Sequence, residues 1–134
     1  MKNTHAISVV FVVAALYDGI IGAAFLFASD GVFQTFGVTP PNHPGYVQFP
    51  AALLVIFAIM FLAIARDPLA NRNLIPFGIL LKVAYCGVVL RYWLTTDLPG
   101  MWKPFCLADI AFLLVFAWAW TQLRGVAKPE ALKQ

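Results

Sequence analysis

Polar residues fall in a few short stretches of the chain, and the apolar runs between them are longer than a soluble helix needs. Four runs stand out, at 7–28, 45–65, 74–94 and 105–123. About 20 mostly apolar residues, each rising about 1.5 Å, cross a hydrocarbon layer about 30 Å thick. Peptide groups in lipid have no water to bond and must satisfy one another, so these runs are predicted to be helices. The short alternating segments of a membrane barrel are absent from the sequence. The predicted fold class is all-α, a transmembrane four-helix up-down bundle forming one integral membrane domain over 1–134.

The breaks between runs carry their own signals. Ser29, Asp30 and Gly31 close the first run, and Val32, Phe33 and Phe36 then share one helical side, which predicts a short interfacial helix. Pro40, Pro41 and Pro44 redirect the chain before Gly45. Asp67 and Pro68 end the second run, Asn73 is placed to cap the third helix, and Leu98, Pro99 and Gly100 form the last turn. Pro50, Pro76 and Pro104 are expected in or near first helical turns, where a missing N–H matters little. Basic Lys2 precedes the first run, as in a signal peptide, but the run exceeds a usual hydrophobic region and carries Asp18. It is therefore expected to be retained.

Orientation follows from the basic residues in short loops. Lys2, Arg66, Arg72, Arg124, Lys128 and Lys133 gather on one side, whereas Lys103 lies in a loop on the other, with Arg91 near that end of the third helix. This predicts both termini inside. Tyr46, Tyr92, Trp93 and Trp102 then mark the outer interface, and Trp118 and Trp120 the inner one.

Composition agrees with lipid as the solvent: 62% of the residues are hydrophobic and 11% charged, where globular chains carry about a quarter charged. The net charge of +3 comes from residues at the ends of apolar runs, not from a basic face, so nucleic acid is not an expected partner. Cys86 and Cys106 have no paired-cysteine spacing and read as small core residues, expected at different depths and unbridged. His5 and His43 lie outside the runs, which leaves no intramembrane haem ligand. No metal cluster, phosphate loop or nucleophile–base arrangement is visible, so neither a cofactor nor catalytic residues are expected.

The chemistry that remains is a set of charges at span depth. Asp18, Lys82 and Asp109 lie well inside the runs and Arg91 near an end. Each costs about 2.5–3.5 kcal/mol at a helix centre and so needs a partner, a cavity or a route to water. Depth counting suggests two opposite-charge pairs, Asp18 with Lys82 and Asp109 with Arg91, or an Arg91 that snorkels to headgroups. Lys82 and Arg91 are nine residues apart, about 900° of rotation, so they face opposite sides of their helix. One cluster of all four charges is not expected. Tyr85, one turn from Lys82, could join its site, while Ala14, Ala15, Gly19 and Gly22 around Asp18 permit close helix approach. A carboxyl at Asp109 without a partner would be stable as the neutral acid and could carry protons.

The layout resembles the DoxX-like group of small bacterial inner-membrane proteins. The resemblance rests on the segment Tyr17, Asp18, Gly19, Ile20, Ile21, Gly22, on the proline-interrupted loop, on the lysine of the third helix, and on Leu98, Pro99, Gly100, Met101 and Trp102 leading to Asp109. It implies a four-helix membrane fold and a bacterial inner membrane. Some members of that group are associated with thiol or electron-transfer systems, but no paired-cysteine motif supports thiol chemistry here. Three functions fit the residues. The first is binding of a lipid, quinone or other hydrophobic molecule against Asp18, Lys82 and Tyr85. The others are an accessory subunit docked on a membrane complex, and a small homo-oligomeric transporter moving protons or a solute past Asp109.

Overall fold

The computed structural model describes residues 3–127; Lys2, Lys128 and Lys133, used above for orientation, lie outside the described residues. The regular elements are helical: α1 (Thr4–Phe27), the short α2 (Ser29–Phe36), α3 (Gly45–Arg66), α4 (Ile75–Thr95) and α5 (Trp102–Leu123). All but α2 are long and apolar enough to cross a membrane. Asn3 donates to Gln122 at 2.8 Å, so the start of α1 and the end of α5 meet at one end of the bundle. That end also holds the α3–α4 connection. There Arg72 reaches the carbonyls of Leu123 and Val126 and supplies donors that the last turn of α5 lacks within itself.

The helices associate as two antiparallel pairs, α1 with α3 and α4 with α5. In the first pair the small residues around Asp18 act as expected. A Cβ on Gly22 would lie 2.9 Å from the Ala51 carbonyl oxygen, and one on Gly19 would lie 3.3 Å from the Ala58 side chain. The two pairs meet through a phenylalanine core near the termini. Phe11 stacks on Phe116 at 4.7 Å between ring centroids, and Phe61 sits edge-on to Phe116 at 5.2 Å. Ile7, Ile64, Ile75 and Leu123 complete this core. A smaller cluster at the opposite end packs Phe33 of α2 on Phe25 of α1, with Met101 and Ala51. The short helix α2 therefore uses Phe33 as its anchor, while Phe36 stays exposed.

Several boundaries differ from the sequence reading. Asn73 does not cap α4. The helix starts at Ile75 with no side-chain cap, after a 3₁₀ turn at Arg72–Leu74. Asn71 does the polar work of that connection instead, donating to the carbonyls of Ala63 and Asp67. Lys103 is not a loop residue, since α5 begins at Trp102 and the Lys103 Nζ sits 5.3 Å from the Trp93 ring centre. Pro50 lies inside α3 just past its first turn, near the helix start as expected. Its missing N–H leaves the Tyr46 carbonyl without the usual intrahelical partner.

The α1–α3 contact generates a test. Gly22→Ala forces a methyl against backbone, which flexible side chains cannot relieve, whereas Gly87 on α4 has open space around it. In detergent micelles, thermal unfolding should show Gly22→Ala destabilised by about 1–3 kcal/mol, with Gly87→Ala at or above the parent stability.

Candidate functional site

Asp18, Lys82 and Asp109 are brought together midway along the bundle by α1, α4 and α5, and all three are buried. The Lys82 ammonium donates to both oxygens of Asp18, at 2.8 and 2.9 Å, and to Oδ1 of Asp109 at 2.8 Å. An ammonium has three donors, and here each has a carboxylate oxygen. Lys82 Nζ also lies 5.2 Å from the centre of the Phe112 ring and 5.6 Å from that of Tyr17, distances at which the negative ring face attracts a cation. The group is fully buried and saturated with partners.

The pairing of Asp18 with Lys82 matches the sequence reading, but that of Asp109 with Arg91 does not. Asp109 shares Lys82 with Asp18, and Arg91 is exposed, its guanidinium 5.8 Å from the Tyr92 ring. The wheel argument explains why: Arg91 faces away from the side of α4 that carries Lys82. Depth counting misassigned Asp109 because it compared helix positions and did not let the lysine stem cover the difference.

The same register joins the cysteines. Moving one turn along α4 from Lys82 leads to Cys86, and one turn back along α5 from Asp109 leads to Cys106. The Cys86 thiol lies 3.7 Å from the Cys106 carbonyl oxygen. The expected difference in depth is thus wrong. Both thiols are free and buried, as expected of small core residues.

On the side of the triad away from the phenylalanine core, a cavity of about 360 Å³ separates the two helix pairs. Asp18, Asp109 and Tyr17 border it near the triad, and Tyr85, Phe25, Phe57, Trp102 and Phe105 contribute aromatic surface. Tyr46 and Leu53 line it from α3 and are themselves exposed, so the cavity opens at that flank of the bundle. Lys82 stands behind the carboxylates and does not line it. Tyr85 does not join Lys82; its hydroxyl points to the Trp102 carbonyl at a long 3.5 Å.

Tyr17 is the site residue that sequence reasoning missed. Its hydroxyl is buried without a hydrogen-bond partner among the described residues. Its ring packs against Phe112 at 5.2 Å between centroids. It precedes Asp18 by one residue, about 100° around α1, and the sequence alone does not say whether that direction meets lipid or a neighbouring helix.

The arrangement can hold an apolar molecule beside two carboxyl groups, a phenol with a free hydroxyl and several rings. Among the described residues no group of His, Cys, Asp and Glu is placed to hold a metal ion. Comparison with protein families, curated proteins and solved structures finds no match to this chain.

The triad predicts an asymmetric response to charge removal. Lys82→Met leaves two facing carboxyl groups with no counter-charge and should cost about 3–5 kcal/mol. Asp109→Asn keeps the Asp18–Lys82 pair balanced and should cost clearly less. Thermal or denaturant unfolding of the two variants in the same micelle measures the difference.

Proposed function

We propose that this protein is a multi-pass protein of the bacterial inner membrane that binds a hydrophobic, lipid-like molecule in the cavity between its helix pairs. The observation that carries this reading is the cavity itself. A volume of about 360 Å³ lies within the range of small-molecule sites, about 300–1,000 Å³. Its walls are apolar and aromatic, with a few polar groups gathered at one end, which is how such sites combine affinity with orientation. Its open flank on α3 would face the hydrocarbon, so a lipophilic ligand could enter from the bilayer without crossing water. The polar end would then take the ligand's head and the aromatic walls its body. The basic residues near the termini support an orientation with that end in the cytoplasm, which would place the cavity in the outer half of the membrane.

Filling the cavity tests this. Leu54 lines it, whereas Leu62 on the same helix is exposed and does not. Native mass spectrometry after gentle extraction should find the parent protein and Leu62→Trp carrying an adduct. Leu54→Trp should carry about tenfold less, the effect of losing roughly 1.4 kcal/mol of binding. Parent protein without adduct, or an adduct undiminished in Leu54→Trp, would refute the proposal.

A further inference from the structure

The three buried charges do not balance. Lys82 offers one positive charge to the carboxyl groups of Asp18 and Asp109, and among the described residues the groups around them bring no second cation. Tyr17 comes from α1, Tyr85 and Cys86 from α4, and Cys106 from α5, all uncharged in their ordinary states. α3 presents Ala51, Leu54, Phe57 and Ala58 toward α1 and the cavity, with the phenol of Tyr46, also uncharged in its ordinary state, on the cavity wall. With every carboxyl ionised the site would hold a net charge of −1 in a low-dielectric interior, which is strongly unfavourable. Neutrality therefore requires one more positive charge: a proton or a bound cation.

The hydrogen bonds show where that charge belongs. All three Lys82 donors are engaged, and both Asp18 oxygens receive one of them. Asp109 receives its bond at Oδ1 alone, and Asp109 lines the cavity. Asp18 lines the cavity too, but both its oxygens are engaged, so the carboxyl oxygen with spare capacity is on Asp109. Aromatic walls attract cations through their ring faces. An anion would add to the excess of negative charge, and a neutral molecule would leave that excess to a proton.

We infer that the cavity selects lipophilic monovalent cations, and that a bound cation replaces one proton on the Asp18–Lys82–Asp109 triad at Asp109. This rests on the ligand-binding reading above and names its ligand class. The exchange makes and breaks no bond in the ligand. The O–H bond of the protonated carboxyl breaks, the proton leaves to water, and the site has the same net charge before and after.

The test uses the full chain in phosphatidylcholine nanodiscs, with empty nanodiscs as the reference. The probes are tetraphenylphosphonium, its anionic counterpart tetraphenylborate and uncharged triphenylphosphine oxide. Tetraphenylphosphonium should bind at least about tenfold more tightly than the oxide, and tetraphenylborate should not saturate. In weakly buffered solution each bound phosphonium should release up to about one proton, and its affinity should rise with pH while that of the oxide does not. Asp109→Asn should retain oxide binding but lose both the preference and the proton release. Equal binding of phosphonium and oxide without proton release would overturn the cation inference and leave the ligand cavity standing. No saturable binding of any probe to the parent protein would overturn both. If Asp109→Asn binds neither phosphonium nor oxide, Asp109→Glu decides. Restored proton-coupled binding supports the exchange, and phosphonium binding without proton release overturns it.

Discussion

An ammonium group in the middle of a lipid-embedded bundle survives only if every hydrogen it carries has an acceptor. Lys82 meets that condition by drawing on two helices at once, and much of the architecture follows. α1 must present Asp18 and α5 must present Asp109 at one height on the two sides of α4. The close α1–α3 approach at Gly19 and Gly22 and the antiparallel register of α4 with α5 are the backbone conditions for that meeting. The rings of Phe112 and Tyr17 flank the ammonium. Removing either carboxylate leaves lysine donors without acceptors, whereas removing the lysine leaves two carboxyl groups facing each other without a cation. The cation is therefore the keystone of the bundle.

The triad also divides the molecule into unlike halves. Toward the termini the interior is filled by interlocking phenylalanine rings, and the ends of α1, α4 and α5 are joined by Asn3, Gln122 and Arg72. Toward the other end the two helix pairs separate and enclose the cavity. Pro50 belongs to this looser half and lines the cavity with Tyr46 on its α3 side. A bundle with equal packing at both ends would have no room for a guest. Here the polar layer marks the depth at which close packing stops.

The sequence revealed the four long helices because lipid removes the ambiguity of short apolar runs: length and missing charge suffice. It also revealed Asp18, Lys82 and Asp109 as the residues needing an explanation, since each is costly where it lies. It did not reveal their arrangement. The partner of Asp109 depends on how far a flexible stem can reach and on the stagger of α5 against α4, neither of which is written in one helix's pattern. Helix starts at Ile75 and Trp102 were blurred for a related reason, because 3₁₀ turns and aromatic residues resemble the spans they adjoin. Tyr17 was not legible because a phenol beside a charged residue in an oily run can turn either way, and only the neighbouring helix decides.

The stacked rings of Phe11, Phe61 and Phe116 set a directional limit on anything that enters the cavity. Water and ions find no polar handhold among them, and each ring is held by the other two, so parting one requires displacing its neighbours. A molecule held in the cavity would have to leave by the mouth through which it came. A passage to the far compartment would require the helix pairs to rock apart about that hydrophobic seal, and Arg72, fastened to the end of α5, would resist the movement.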